Sequence, residues 1–369
     1  MVDPKGMQAA LAKAGFDAVV AASPENTIYL TGANILTQRL LPERIALVLW
    51  PREGEPAFVI CIIEERLTRQ DSRVPDIRTY IEVKESPIDV LATVIREKGL
   101  DRGRIGFEKK FLTAHYYEQI PRVLPNVTID AADELFDHMR VIKSDEEVEL
   151  LGAIAQITDR AMRWAFEHSK PGDTERDVAA RMREKHFEFG AEDMRGPVLL
   201  GAGPRAQFIH GLPSSYRLAS GDICRVDVGG MKDGYFSDLA RTVGVGTPDP
   251  EQRDIYRRLW EVHETVLGSV RAGIEARALY GVYEQSAKRL SVHVERVHIG
   301  HSLGVGIHEN PMITPHNTAP LEANMVLCIE YAHYRSHEMY HIEDTVVVKS
   351  NGCRILSRSA DWSDFLVIT

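Results

Sequence analysis

The sequence predicts two domains of different fold class, an α/β domain over residues 1–135 and a larger α+β domain over residues 140–369. The total length of 369 residues is typical of two domains. Helix-like and strand-like patterns alternate as far as residue 130, as in an α/β sandwich. From residue 196 onward, short apolar runs are separated by glycine-rich turns, which indicates an antiparallel sheet.

The first domain shows apolar residues recurring with two different periods. The predicted segments are a helix at Met7–Ala14, a strand at Asp17–Ala21, apolar runs at Ile45–Trp50 and Ala57–Ile63, a helix at Ile88–Lys98 and a strand at Arg104–Glu108. This domain contains neither a phosphate-binding loop nor a pair of catalytic residues. We therefore expect it to serve packing or oligomerisation rather than chemistry.

The second domain begins with predicted helices. Ser144 and Glu147 form a capping box, which marks the start of a long amphipathic helix. Its apolar stripe comprises Val148, Leu151, Ile154, Ala155, Ala161, Met162 and Ala165. Thr174 can cap the next helix. Further helices are predicted at 174–189, 251–271 and 277–290.

The composition argues against several classes of protein. A net charge of −10 without any Lys/Arg run argues against a nucleic-acid-binding protein. No apolar run approaches the ~18–20 residues that a membrane span needs. The first twenty residues are typical of an amphipathic helix followed by a strand, rather than of a secretion signal. The four cysteines (Cys61, Cys224, Cys328, Cys353) form no CxxC motif, and we expect a cytoplasmic protein.

Two aspartates lie in apolar runs that flank a hairpin turn. Asp227 belongs to the run before Lys232-Asp233-Gly234, and Asp238 follows that turn. A turn at residues 232–233 would place the two aspartates directly opposite each other, whereas a turn at 233–234 would make them diagonal neighbours. Either register leaves them about 5–8 Å apart on one face of the sheet. Two such charges repel unless a cation lies between them or one is protonated.

Two glutamates repeat this pattern. Glu330 ends the run that begins at Met325, and Glu343 precedes a run of three valines. An isolated buried carboxylate costs several kcal/mol, so it needs a metal, a base or a proton. One such residue would be interpreted as a satisfied edge-strand carboxylate, but four in one domain indicate a shared divalent-cation site.

Histidine adds a further candidate ligand type. His301 and His308 lie among glycines that allow the backbone to approach a ligand closely. Four carboxylates and an imidazole suit Mn²⁺, Co²⁺, Fe²⁺ or Zn²⁺. Two metals that share carboxylates can hold and activate a hydroxide.

These residues lie in segments that resemble the pita-bread metallopeptidases, and especially the prolidase, Xaa-Pro aminopeptidase and creatinase branch. The matching segments follow in family order: Ser23–Gly32, Phe208–Pro213, Gly221–Asp222, Val226–Gly229, Gly234–Thr242, Gly300–His301, His308–Pro311 and Ile342–Asp344. The resemblance covers most of the chain. It implies a C-terminal pita-bread fold, a smaller N-terminal creatinase-type domain, and a homodimer.

The resemblance also implies an activity, the hydrolysis of Xaa-Pro dipeptides or peptides through a metal-bridging hydroxide. The implied ligands of two divalent ions, Mn²⁺ first among them, are Asp227, Asp238, His301, Glu330 and Glu343, with Asp238 and Glu343 bridging. His308 is expected to contact the substrate carbonyl and His210 to position the scissile amide. Glu330 is expected to move a proton to the leaving nitrogen.

Three positions depart from the family pattern. Tyr331 follows Glu330 where the peptidases usually have proline, and His341 stands two residues before Glu343 where many have arginine. Ser302 replaces a frequent glycine. Because such residues shape the substrate pocket, an alternative remains, a creatinase-like or ectoine-hydrolase-like enzyme that cleaves a C–N bond of a small metabolite. A metal-free peptide-binding module is a further alternative, which the complete ligand set argues against.

Two other motifs receive a structural interpretation. His337–His341 matches HExxH, which binds zinc only on a helix. The chain between the two flanking apolar runs is too short for that helix, so we expect a polar loop at the pocket rim, with His337 and His341 near the substrate. Gly201–Ala206 resembles a dinucleotide fingerprint but opens no helix, and a glycine-rich bend is predicted.

Overall fold

A computed structural model describes residues 3–41, 43–293 and 297–369. The chain divides into two compact units, residues 1–140 and 141–369. Among the described helices, none combines the length and the apolar character that a membrane span requires.

The N-terminal unit is built around a six-stranded sheet. Its elements are α1 (Pro4–Ala14), β1 (Ala18–Ala21), α2 (Pro24–Thr31), α3 (Leu36–Leu40), β2 (Leu47–Pro51), β3 (Ala57–Cys61), a 3₁₀ turn (Ile62–Glu64), α4 (Glu65–Asp71), β4 (Asp76–Tyr80), α5 (Pro87–Glu97), β5 (Arg104–Phe107), α6 (Ala114–Tyr117), α7 (Ile120–Val123), β6 (Thr128–Ala131) and α8 (Asp133–Val141). The strand order is β4-β3-β2-β1-β5-β6.

This sheet is mixed. Strand β2 pairs antiparallel with both β1 and β3, whereas the outer pairs β3–β4, β1–β5 and β5–β6 are parallel. Residues of β1, β2 and β3 pack with helix α5 in one apolar core. The predicted helices and strands of this domain are confirmed, with bounds shifted by a few residues at most.

The C-terminal unit contains an eight-stranded sheet and a separate three-stranded sheet. Its elements are α9 (Asp145–Glu167), α10 (Glu175–Glu188), β7 (Asp193–Met194), β8 (Leu199–Ala202), a 3₁₀ turn (Gly203–Arg205), β9 (Ile223–Val228), β10 (Gly230–Lys232), β11 (Tyr235–Phe236), β12 (Leu239–Val245), α11 (Pro250–Leu267), α12 (Ala276–Arg289), β13 (Gly300–Ser302), β14 (Val326–Arg335), β15 (Glu338–Lys349), β16 (Gly352–Ile355) and β17 (Val367–Ile368).

The large sheet has the order β13-β14-β15-β12-β9-β8, with β16 paired to β15 and β17 to β12. All of its pairs are antiparallel except β12–β17, which confirms the predicted antiparallel core. Strands β11, β10 and β7 form the small sheet. The apolar stripes of helices α9 to α12 share one core with the large sheet.

The capping residues begin the helices where the sequence predicts. The Ser144 hydroxyl accepts a hydrogen bond from the backbone N–H of Glu147, whose side chain accepts from the Ser144 N–H, and helix α9 follows. Thr174 and Asp177 form the same reciprocal pair at the start of α10. These caps satisfy N–H groups that would otherwise lack partners at a helix start.

Candidate metal centre

Asp227 and Asp238 are diagonal neighbours across a hairpin. The turn residues Asp233 and Gly234 have φ of 50° and 78°, and Lys232 pairs with Tyr235. These positive φ angles are typical of the type I′ turn that connects twisted strands. The same register pairs Asp227 with Ala240, two residues after Asp238. The second of the two predicted arrangements is therefore confirmed.

Glu330 and Glu343 lie directly opposite each other on β14 and β15. Both side chains are buried, with 7% and 2% of their surface exposed. On the next strand, β13, His301 pairs with Cys328. Because residues two apart share a face of a strand, Cys328 lies on the same face as Glu330.

The five predicted ligands contribute to four overlapping groups of donor atoms. Within each group the atoms lie within 4.8 Å of one another. The groups are Asp227–Asp238–Glu343, Asp238–His301–His308, His301–Cys328–Glu343 and Glu330–His341–Glu343. Glu343 belongs to three groups and Asp238 to two. The donor set of carboxylates and imidazoles fits a divalent cation.

His301 is oriented and neutral. Its Nδ1–H donates to the carbonyl of Ser302 at 3.0 Å, which leaves Nε2 deprotonated and 4.0 Å from a carboxylate oxygen of Glu343. Burial, with a contribution from neighbouring His308, lowers the pKa of His301 to about 3. A neutral imidazole with one nitrogen anchored is the form that binds a metal.

His308 stacks on His301 with 3.9 Å between ring centroids, and its side chain is exposed. The loop that joins the two histidines is closed by Lys143. The Lys143 ammonium donates to the Ser302 hydroxyl at 3.1 Å and pairs with Glu309 at 3.0 Å. The Ser302 side chain therefore anchors the loop through Lys143. His308 remains exposed to solvent beside His301, a predicted ligand.

His341 lies within the cluster. Its Nε2 is 3.1 Å from Glu330 Oε2, and the side chain is fully buried. The backbone N–H of His341 donates to the Thr242 hydroxyl at 2.8 Å, which attaches β15 to β12 at this point. Of the three departures from the family pattern, His341 is thus the one whose side chain contacts a predicted ligand.

Arg195 is a component of the cluster that sequence reasoning missed. Its guanidinium donates to Asp227 Oδ1, and its Nη2 lies 3.0 Å from Asp238 Oδ1. Burial alone would lower the pKa of Arg195, but the charges of Asp238, Asp227 and Glu343 hold the pKa above its ordinary value. No motif or periodicity marks this residue in the sequence.

The other predicted pocket residues lie outside these groups. Tyr331 is fully buried in the apolar core, stacked on Tyr283 with ring centroids 4.7 Å apart. It points away from Glu330 because adjacent strand residues face opposite sides, so its expected place beside the substrate is wrong. His210 is exposed and belongs to none of the four groups. Arg225 holds the segment before it by donating to the Phe208 and Ile209 carbonyls.

The polar loop predicted at 337–341 is also wrong. Strands β14 and β15 continue through this segment and are joined by a turn at Ser336 and His337. His337 is exposed at that turn, about 20 Å along an extended strand from Glu330. The strand conformation excludes a zincin helix, as predicted. Gly201–Ala206 forms the end of β8 and a 3₁₀ turn, which confirms the predicted bend.

Both units match models of known protein families. The model of Metallopeptidase family M24 matches residues 149–350, and the Creatinase/Prolidase N-terminal domain matches residues 5–142. An Xaa-Pro dipeptidase of Pyrococcus furiosus is 31% identical over 62% of this chain and 66% of its own length. The Xaa-Pro dipeptidase of Pyrococcus horikoshii is 26% identical over 94% of both chains.

Solved structures extend the likeness to the fold. The prolidase from Pyrococcus horikoshii OT3 has a TM-score of 0.85 and 25% identity, covering 97% of this chain and 99% of that one. An X-Pro aminopeptidase from Thermotoga maritima MSB8 has a TM-score of 0.89 at 22% identity, with complete coverage of both chains. The chain therefore belongs to metallopeptidase family M24, in the branch that carries the creatinase and prolidase N-terminal domain.

Proposed function

We propose that this protein is a dinuclear metal-dependent hydrolase that cleaves the amide bond of Xaa-Pro dipeptides or short peptides. The observation that carries the proposal is the convergence of side chains from four strands and from the segment between β11 and β12: Asp227, Asp238, His301, Glu330 and Glu343. Two relatives are named Xaa-Pro dipeptidases, which supports Xaa-Pro peptides as the substrate class. When bound, two divalent ions supply Lewis acidity and a nucleophilic water at neutral pH.

The remaining roles belong to side chains of this chain. Glu330 accepts the proton of the attacking water and delivers it to the leaving nitrogen. His341, 3.1 Å away, restricts the orientation of that carboxylate. His308 is exposed beside His301 and donates a hydrogen bond to the substrate carbonyl oxygen as it gains charge. We assign the positioning of the scissile amide to His210, whose side chain is exposed and free to meet a substrate.

The environment of the enzyme is part of the proposal. We infer Mn²⁺ as the working metal, since carboxylates dominate the donor set, with Co²⁺, Fe²⁺ or Zn²⁺ as substitutes. All four cysteines are free thiols, in keeping with a reducing cytoplasm. A homodimer follows from the family resemblance.

A second candidate is the hydrolysis of a C–N bond in a small metabolite. The observation that favours it is His341, a buried imidazole at the site where many Xaa-Pro peptidases carry an arginine. An imidazole in place of a permanently charged guanidinium changes which substrate groups can be bound.

A substrate panel with parallel metal analysis tests both candidates. Protein loaded with Mn²⁺ or Co²⁺ is assayed on Xaa-Pro dipeptides, matched dipeptides without proline, longer peptides, creatine and ectoine. We expect turnover of proline dipeptides and about two divalent ions per chain. If the loaded protein turns over no proline peptide, the first candidate is wrong. Turnover of a small amide instead would establish the second.

A further inference from the structure

The Arg195 guanidinium lies between two of the carboxylates that the proposed function gives to metal. It donates to Asp227 Oδ1 and lies 3.0 Å from Asp238 Oδ1. The three side chains are largely buried, with 13%, 14% and 5% of their surface exposed. Nothing else in the proposed mechanism uses Arg195.

The backbone places Arg195 at this point. Its N–H donates to the carbonyl of Gly229 at 2.9 Å, which continues the pairing of β7 with β10. A Cβ at Gly229 would lie only 2.7 Å from Arg195 Cδ, so the arginine stem crosses the space that a side chain at 229 would fill. In the hairpin register, Asp238 lies opposite this glycine and Asp227 lies two residues before it. The guanidinium is thus directed to the two carboxylates by strand pairing.

The two ends of the cluster consequently differ in charge. Arg195 lies at the Asp227 end. A second guanidinium is also close, since Nη1 of Arg225 is 4.0 Å from Asp227 Oδ2. Both are permanently cationic side chains. At the other end, Glu330 and Glu343 have the imidazoles of His301 and His341 as neighbours. A divalent ion at the Asp227 end must compete with a guanidinium for the oxygens of Asp227 and Asp238, whereas one held by Glu330 and Glu343 at the other end need not.

We propose that Arg195 is a resident counter-ion that weakens metal binding at the Asp227 end, so that the two divalent ions bind with unequal affinity. The first ion binds with Arg195 in place, and the second binds only when the guanidinium leaves Asp227 and Asp238. This inference rests on the proposed dinuclear centre. It makes Arg195 a positioning residue that sets the metal requirement of the enzyme.

The test measures metal binding rather than turnover. Metal-free wild type, Arg195→Gln and Arg195→Lys are titrated with Mn²⁺ by calorimetry, and bound metal is counted after equilibrium dialysis. Gln keeps part of the stem across Gly229 but removes the charge, whereas Lys retains the charge. Arg181→Ala, which removes the ion pair between Arg181 on α10 and Asp173 before that helix, is the matched control.

We expect the second Mn²⁺ to bind Arg195→Gln about ten-fold more tightly than wild type, since a charge-assisted pair no longer opposes it. Affinity for the first ion should change little. Arg195→Lys and Arg181→Ala should resemble wild type. Without metal, the melting temperature of Arg195→Gln should fall, because Asp227 and Asp238 lose their cation, and Mn²⁺ should restore it.

Three outcomes would overturn the inference. An unchanged second dissociation constant in Arg195→Gln, or equal tightening in Arg195→Lys, contradicts the counter-ion role and leaves the metal centre standing. Absence of Mn²⁺ from wild type and variants alike removes the metal centre and the inference with it. If Arg195→Gln does not fold, as judged by circular dichroism, Arg195→Met provides the same comparison.

Discussion

Buried carboxylates occur in both units, but their surroundings differ. In the N-terminal unit, Glu108 accepts hydrogen bonds from the backbone N–H of Ala22 and Ser23 and from the Asn26 side chain, at 2.6–2.8 Å. In the C-terminal unit, the neighbours of Glu343 include further carboxylates. A carboxylate surrounded by donors has its hydrogen bonds satisfied within the fold, whereas one surrounded by like charges needs a cation or a proton.

The same contrast occurs between two adjacent residues of β15. Glu343 faces the cluster, and Asp344 faces the opposite side of the sheet. Asp344 pairs with Arg241 at 2.6 Å, His263 at 2.8 Å and Arg358 at 2.8 Å. Burial alone would raise the pKa of Asp344, but these partners hold it well below the ordinary value. Two consecutive residues thus represent the two kinds of buried carboxylate, one among like charges and one paired with cations.

The largest effect is expected from Glu343→Gln. Because Glu343 is shared by three groups of donor atoms, removing its charge should abolish tight binding of Mn²⁺ and lower kcat/KM by about 10²–10³-fold. The melting temperature of the metal-free protein should not fall, since a like-charge contact is relieved. Metal counting, kinetics and thermal melting check the three parts. Retained metal and turnover would contradict the bridging role of Glu343.

Asp344→Asn is the matched variant, with the opposite pattern. It should leave the metal ligands intact but lower the free energy of unfolding by about 3 kcal/mol, because Arg241 is buried and loses its main partner. Denaturant unfolding of the metal-free protein measures this loss. At a temperature where the variant is folded, Mn²⁺ binding should persist. A stable variant that loses its metal would reverse the distinction drawn between the two faces of β15.

How much of this could be predicted depended on local chemistry. The proximity of Asp227 and Asp238 was predictable because a turn at either 232–233 or 233–234 places both on one face of the sheet, and the structure selects the second turn. Tyr331 was misplaced because a family comparison by position ignores which face of the strand a side chain occupies. Arg195 escaped prediction because its site depends on pairing with Gly229, which no local pattern encodes. The tertiary contacts of a single long side chain are therefore the hardest feature to predict from sequence.

The smallest effect on stability is expected at Glu108, the buried carboxylate that is surrounded by hydrogen-bond donors. Burial raises its pKa above the ordinary 4.5, although the Ser23, Ala22 and Asn26 donors oppose this. A carboxyl group with a raised folded-state pKa contributes stability that is fully present below about 4.5 and is lost as pH rises through the folded value.

Glu108→Gln retains an acceptor for the backbone donors but cannot ionise. The free energy of unfolding of wild type minus that of the variant should therefore decrease as pH rises from 4.5 toward neutrality, by no more than about 1–2 kcal/mol. Paired urea titrations of the two proteins at matched pH isolate this residue, because the titration of every other group cancels in the difference. A difference that stays constant or grows with pH would mean that the donors outweigh burial, and that the ionised carboxylate is the form that the N-terminal unit is built to hold.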